Sequence, residues 1–167
     1  SDLLAAVSGT VAPHVTADAG WQYNTDLNQT QRLNLAVRYN PKPGKVVNFA
    51  YRHTANSIKQ FDISGQWPVA PQWNAVGRLN YSTRDRRALE SLAGFEYDGG
   101  CWGLRVSVHR IATTTRTAST TLLFELELNG LSKTRNNTFD LLSRSIGGYT
   151  RFDPRAPRHD EYQVPGL

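Results

Sequence analysis

Charged side chains recur at every second position in several segments of this chain, and they share one face of each segment. Arginine makes charge-assisted hydrogen bonds with carboxylates and with phosphates, so these residues can pair with one another or bind an anionic group. The charged positions on this face are Arg38, Arg52, Asp62, Arg78, Glu90, Glu96, Arg105, Glu125 and Glu127. The opposite, apolar face admits a charge only at a segment end, Arg110.

The sequence shows little that is arranged for catalysis or metal binding. Ser107 and His109 share one strand face, but a nucleophile and a base also need an orienting partner and an oxyanion site, which the sequence does not supply. The 4 histidines lack metal-ligand spacing. The glycine pairs at 99–100 and 147–148 are typical of turns rather than of phosphate-binding loops. We therefore predict a protein that is not an enzyme and that needs no cofactor or metal.

Cys101 is the only cysteine, and it directly follows Asp98-Gly99-Gly100, which is a strong hairpin signal. One interpretation is a small buried thiol, because free cysteine is among the most buried residue types. The other is a disulfide to a segment outside this sequence, since a single cysteine cannot form an internal bridge. The residues alone leave both interpretations open.

Alternation with a period of two runs through most of the first 130 residues and predicts β-strands. The predicted strands cover about residues 3–11, 14–23, 32–39, 47–52, 61–67, 73–81, 88–97, 102–110 and 122–129. Proline-containing turns are expected at residues 40–44 and 68–71. The threonine-rich residues 111–121 contain no Gly or Pro, so they are expected to extend the strands on either side. These features predict an all-β antiparallel meander of about nine strands.

The pattern changes after residue 130. Asn137-Thr138 is expected to cap a short helix from Phe139 to about Ser145, with Gly147 near its end. Residues 151–167 are polar and contain proline, so they are expected to lie loose. We therefore divide the chain into strands at residues 1–130 and a tail with a short helix at residues 131–167.

The composition excludes some classes of protein. The 167 residues are 39% hydrophobic and 20% charged with a mean hydropathy of −0.50, and they contain no run of about 18 apolar residues, which excludes a helical membrane protein. The net charge of +5 and the pI near 9.6 would suit a nucleic-acid-binding protein. The basic residues are, however, interspersed with acidic ones, so we predict no nucleic-acid partner.

Strand alternation is shared by soluble sandwiches and membrane barrels, and the aromatic residues distinguish them. On the apolar face aromatics gather at strand ends, as membrane interfaces favour. One group is Tyr39, Trp67, Trp73, Tyr97 and Trp102, and the other is Tyr23, Tyr51 and Tyr81. We therefore predict a segment of an antiparallel transmembrane β-barrel, with a soluble β-sandwich as the alternative. Because bacterial barrels have short periplasmic turns, the turns at 13, 40–44, 68–71 and 98–100 would be periplasmic and residues 83–87 extracellular.

Three motifs then resemble a known family: FEYDGGCWGLRV, LLFELELNGLS and LLSRSIGGY, which lie between about residues 91 and 149. They are similar to the C-terminal part of the LPS-assembly protein LptD family, whose members deliver lipopolysaccharide (LPS) to the outer surface of Gram-negative bacteria. The resemblance implies the C-terminal strands of an outer-membrane barrel and a periplasmic tail. It implies non-catalytic passage of LPS through a polar lumen and a lateral opening.

The resemblance also implies roles for particular residues. Cys101 would form a disulfide with the family's N-terminal periplasmic domain, which this sequence does not include. The candidates for the LPS path in the lumen are Arg38, Arg52, Arg78 and Arg105, although pairing with neighbouring carboxylates is the alternative for each. The candidates for contact with LPS at the cell surface are Arg84, Arg86 and Arg87. The outward residues of the strand at the lateral opening would be Leu122, Phe124, Leu126 and Leu128.

The partners implied are the remainder of the LptD barrel with its periplasmic domain, an LptE-type plug lipoprotein, LPS, and the barrel-assembly machinery during folding. The competing hypothesis is a small self-contained outer-membrane barrel that acts as a porin-like channel or an adhesin. Bacterial single-chain barrels have even strand counts, so an odd count of about nine favours a part of a larger barrel.

Overall fold

The computed structural model describes residues 2–55, 57–112, 117–128 and 137–150. Within these residues, nine strands form one antiparallel sheet in which each strand pairs with the next along the chain. They are β1 (Asp2–Ala12), β2 (Val15–Asn24), β3 (Gln29–Lys42), β4 (Lys45–Thr54), β5 (Ile58–Ala70), β6 (Trp73–Ser82), β7 (Arg87–Asp98), β8 (Trp102–Ala112) and β9 (Ala118–Leu128). One helix, α1 (Asn137–Ser145), follows. The predicted all-β meander of nine strands with a short helix is confirmed.

The two faces of the sheet have the opposite character from those of a soluble protein. Register aligns Val37, Phe49, Ile63 and Leu79 in one row across β3 to β6, and all four side chains are exposed. The buried residues of the strands lie on the other face, which carries the charges, and they include Glu96 and Arg105. Soluble domains rarely expose a contiguous apolar surface of this kind, so the outer face fits a lipid environment. In the described part of the chain, no helix is long and apolar enough to cross a membrane.

The short turns lie together at one end of the sheet, and three of them have the same construction. Pro13-His14, Pro43-Gly44 and Pro71-Gln72 each place a proline before a residue with positive φ, of 64°, 78° and 66° respectively. This order is typical of a type II turn, in which proline fixes the first φ and the second must be positive. The three turns therefore share one signature, a proline followed by a residue with positive φ. Only one of them, Pro43-Gly44, has glycine at the second position.

Two of the predicted turns are too long. β3 continues to Lys42 and β5 continues through Pro68 to Ala70, so the connections shrink to Pro43-Gly44 and Pro71-Gln72. The pairing register shifts between Tyr39 and Lys42 and again between Pro68 and Ala70. A strand tolerates proline at such a bulge because the ladder hydrogen bond is interrupted there in any case. The prediction that the strands end before Pro41 and Pro68 is therefore wrong, because both strands continue past these prolines.

The predicted extension of the threonine-rich segment is confirmed on both sides. β8 runs to Ala112 and β9 begins at Ala118, four residues earlier than expected from Leu122. Asn129, which the prediction placed at the end of this strand, lies outside the described residues. So do residues 151–167, which were expected to lie loose.

Helix α1 does not stand apart from the sheet. Leu142 and Ile146 pack on the charged face against Val46, Val76 and Leu92, and these residues form the buried apolar cluster of the described chain. This contact places the helix on the same face as the arginines. The sheet is open in the described residues, because the outer edges of β1 and β9 pair with no further strand.

Candidate functional site

The polar face, defined here as the charged face of the sheet, holds Arg105 among three carboxylates. Its guanidinium lies 3.2 Å from Glu96, 3.1 Å from Glu125 and 3.3 Å from Glu127. Register places the arginine on β8 between Glu96 of β7 and Glu125 of β9, so the pairing follows from strand alternation. Since the carboxylates outnumber the guanidinium, this cluster favours cations over a phosphate.

Arg78 is also paired with acidic neighbours. Its Nε and Nη2 donate to Asp62 Oδ2 at 3.0 and 2.8 Å, and its Nη1 lies 3.6 Å from Glu90. Glu90 in turn lies 2.8 Å from His109 Nε2. The alternative that lumen arginines pair with neighbouring carboxylates is therefore confirmed for Arg78 and Arg105. Binding of LPS by these residues stays a prediction.

Arg38 and Arg52 lie in different surroundings. Arg38 Nε donates to Asn48 Oδ1 at 2.9 Å, beside the segment that follows α1. Arg52 lines a concave groove of about 1030 Å³ on the polar face of β1 to β6, together with Arg32 and Asn34. Among the described residues neither Arg38 nor Arg52 has an ion pair, but only Arg52 of these two lines the groove. Of the four candidates, Arg52 is thus the one best placed to receive an anionic group.

The three loop arginines have different surroundings. Arg84 Nη1 donates to the Ser57 carbonyl at 2.7 Å, so it links two loops at the same end of the sheet. Arg86 is exposed and adopts a positive φ of 50°. Arg87 is half-buried and begins β7. Contact of these residues with surface LPS stays a prediction.

Cys101 is exposed and free, so the interpretation as a buried thiol is wrong. Its turn is closed by two hydrogen bonds, from the Gly100 amide to Asp98 Oδ1 at 2.8 Å and from the Gly99 amide to the Trp102 carbonyl at 2.8 Å. A Cβ on Gly99 would lie 2.7 Å from the Trp102 indole nitrogen, so glycine is required for this close approach. The thiol stands at the same end as the proline turns, and its disulfide stays a prediction.

Aromatic residues meet at both ends of the outer face, as the alternation predicted. At the short-turn end Trp73 and Trp102 flank Tyr97, with ring centroids 4.9 and 5.0 Å away from it. At the other end Phe61 lies 5.3 Å from Tyr81. The four residues proposed for a lateral opening, Leu122, Phe124, Leu126 and Leu128, are all exposed on the same outer face of β9.

Sequence reasoning missed the segment after α1 as part of the site. Tyr149 donates its hydroxyl hydrogen to Glu96 Oε1, and Gln66 Nε2 donates to the same carboxylate at 3.1 Å. Burial and then the charge of Glu96 raise the pKa of the Tyr149 phenol. The available signal was the occurrence of Val76 and Leu92 on an otherwise polar face, which calls for an apolar partner.

Comparison with known proteins gives a consistent result. A family model described as LptD, LPS transport system D, matches residues 1–73. The LPS-assembly protein LptD of Aromatoleum aromaticum is 42% identical over 153 residues, which cover 92% of this chain and 19% of that protein. The chain belongs to the LptD family. The LptD proteins of Thiobacillus denitrificans and Nitrosospira multiformis are 42% and 41% identical and align with 89% and 90% of the chain.

These matches cover more of the chain than the motifs that carried the resemblance. The family model matches the first strands, whereas the motifs lie between about residues 91 and 149. The chain spans about a fifth of the length of the curated LptD relatives it matches, 19% and 20% for the two given first. In the described part of the chain, no three His, Cys, Asp or Glu side chains gather where they could hold a metal ion.

Proposed function

We propose that this chain supplies strands of an outer-membrane barrel that inserts LPS into the outer leaflet of a Gram-negative bacterium. The observation that carries the proposal is the inversion of the sheet, with an exposed apolar face and a charged face that holds the buried residues of the strands, in a chain related to LPS-assembly proteins. Such a sheet is stable where lipid covers one face and the other lines a polar lumen. The role is passage without catalysis.

Within this proposal the strands of residues 1–130 form the wall of the barrel, and residues 131–167 form a tail on its periplasmic side, of which residues 141–150 contact the polar face. The partners are the rest of the LptD barrel and its periplasmic domain, to which Cys101 is bridged. An LptE-type plug lipoprotein and, during folding, the barrel-assembly machinery complete the set. The outer edge of β9 is the lateral opening, because its amides and carbonyls have no strand partner among the described residues.

The groove on the polar face supports a path for an anionic amphiphile. Arg52 and Arg32 contribute two positive charges to its lining and Asp18 contributes one negative charge, while Asp62 is held by Arg78. A phosphate in the groove can accept charge-assisted hydrogen bonds from Arg52, which the paired Arg78 and Arg105 are less free to make. We therefore assign Arg52 to the LPS path ahead of the other three candidates.

The test uses the full-length protein with a photo-crosslinking amino acid at Asn34, which pairs with Arg52 across β3 and β4. Arg52→Glu is expected to reduce crosslinking to LPS about tenfold, because a hydrogen bond to a charged group contributes roughly 1.5–3 kcal/mol. Lys45→Glu is the matched charge reversal, since Lys45 lies at the other end of the sheet against Trp67. Undiminished crosslinking in Arg52→Glu would remove this residue from the path, and no crosslinking in any variant would contradict transport along this face.

A further inference from the structure

The apolar cluster on the polar face is made by a contact between the sheet and one later segment of the chain. Leu142 and Ile146 are 1% and 0% exposed, and they cover Val46, Val76 and Leu92. Leu141 and Tyr149 pack against the same cluster. Residues 141–150, called here the docked segment, therefore bury the apolar side chains that this face would otherwise present to water.

Hydrogen bonds from several strands hold the docked segment in one position. Asn48 Nδ2 donates to the Gly147 carbonyl at 2.8 Å, and the Gly44 amide donates to the Thr150 hydroxyl at 2.7 Å. Gln66 donates to the Thr150 carbonyl at 3.1 Å and accepts from the Thr150 amide at 3.2 Å. Paired bonds between one side-chain amide and the backbone N–H and C=O of one residue fix both position and orientation, so this is a specific seat rather than a loose apolar contact.

The seat occupies only the half of the polar face that is near the short turns. Its partners Val46 and Asn48 lie at the start of β4 and Gly44 lies in the turn before it, whereas the groove begins further along the same strand at Ala50 and Arg52. The two features therefore divide the face between them: the half towards the longer loops is open, and the half towards the proline turns is covered.

We propose that the docked segment is a built-in plug that closes the short-turn half of the lumen against solutes. The proposal rests on the proposed function in one respect, namely that the polar face lines the lumen of a closed barrel. The chain itself would then supply an obstruction at the end of the lumen opposite to the open groove. The seal is made by Leu142 and Ile146, and the hydrogen bonds from Asn48 and Gln66 hold it in register.

The first experiment measures whether the seat exists in the membrane-inserted protein. Ile146→Cys and Ser143→Cys are made singly in full-length protein whose other cysteines are replaced, and each is labelled with a water-soluble maleimide. Ser143 is the matched control because it is exposed and lies in α1, three residues before Ile146. Labelling of Cys at position 146 is expected to be at least about tenfold slower, since its thiol must wait for local opening. Equal rates would overturn the proposal.

The second experiment measures the seal. The double variant Leu142→Asp/Ile146→Asp places two charges in the apolar seat and is expected to expel the segment, which raises ion conductance in planar lipid bilayers. Ser143→Asp adds a charge to the exposed side of α1 and is expected to leave conductance unchanged. Unchanged conductance in a double variant that retains heat-modifiable mobility would refute the plug.

The two proposals fail separately. Labelling and conductance do not involve LPS, so a plug that behaves as expected beside absent LPS crosslinking would contradict only the proposed function. Conversely, normal LPS crosslinking with equal labelling at positions 143 and 146 would contradict only the plug. Should the double variant not assemble, the labelling rates still decide the question.

Discussion

Arg105 shows at the scale of one residue how the polar face is held together. Its side chain is 10% exposed and that of Glu96 5%, so both charges are largely removed from water. A buried charge is stable only when paired, and this guanidinium neutralises neighbours on both adjacent strands. Its role in the fold thus competes with the role in LPS binding that the sequence suggested for it.

Replacing Arg105 should therefore destabilise the sheet. Arg105→Gln would leave Glu96, Glu125 and Glu127 facing one another, and we expect a loss of about 3 kcal/mol in the free energy of unfolding. The measurement is the temperature at which the full-length protein loses its heat-modifiable electrophoretic mobility. Adding Glu96→Gln should recover part of the loss, and a double variant no more stable than Arg105→Gln would contradict the pairing.

Tyr149 makes the seat of the docked segment less stable at alkaline pH. Burial and the neighbouring Glu96 carboxylate raise the pKa of Tyr149, so the folded state holds its proton more tightly than the unfolded state does. The stabilisation is complete below the pKa of a free phenol, about 10, and is lost as pH rises above it. Wild-type protein should lose stability more steeply above about pH 10 than Tyr149→Phe. Coincident pH profiles in thermal unfolding would contradict this.

At the scale of elements, the approach of α1 to the sheet depends on the two glycines that follow it. Gly148 has a positive φ of 82°, and a Cβ there would lie 3.3 Å from Val46 Cγ2. Gly147 lacks the positive φ, and a Cβ on it would meet the flexible end of Arg38 at 2.9 Å. Gly148 thus requires glycine because of its backbone conformation, whereas the side chain next to Gly147 is able to move.

This difference predicts unequal effects for two equal substitutions. Gly148→Ala should weaken docking by about 1–2 kcal/mol, the usual cost of a left-handed residue with a side chain. Gly147→Ala should have a smaller effect because the arginine tip can shift. The maleimide labelling rate at Ile146→Cys reports both, and it should rise about tenfold only in the Gly148→Ala background. Equal acceleration in the two backgrounds would contradict the backbone argument.

The elements also show which parts of this fold can be predicted from sequence. Alternation identified the nine described strands because one face of each is apolar, and it placed the charges of the strand interiors on one face, although Lys45 and Lys59 join Arg110 on the outer face near strand ends. Turn positions were less accurate, because Pro68 lies inside β5 beside a register shift instead of ending the strand. The seat of α1 was missed because it depends on contacts such as Ile146 with Val46 that are distant in sequence, and short-range periodicity carries no information about them.

Ion pairing at the site was foreseeable, but its consequences were not. Once the strands pair in register, Arg105 must face Glu96 and Glu125. Which arginine remains available for a ligand depends instead on which of them lines the groove, as Arg52 does. The main candidate for the LPS path is therefore Arg52 alone, and no longer the set of four arginines.

For the whole molecule, the meander explains how a sheet with an exposed apolar surface can still form with one defined strand order. Each strand pairs with its neighbour in sequence, so every hairpin can form locally before the sheet is complete. The aromatic pairs at both ends, such as Phe61 with Tyr81, mark the two levels at which lipid headgroups would meet the wall. Fold and membrane position thus follow from one alternating pattern.

The docked segment gives this molecule a fixed order of assembly. It follows the nine described strands along the chain, and its hydrogen-bonding partners extend from Gly44 in the β3–β4 turn through Gln66 on β5 to Glu96 on β7, which must already be paired. The segment can therefore seat only after the centre of the sheet has formed. Burial of the segment therefore requires a correctly paired sheet. A sheet with a mispaired strand would offer it no seat and would leave Leu142 and Ile146 exposed to proteases and chaperones.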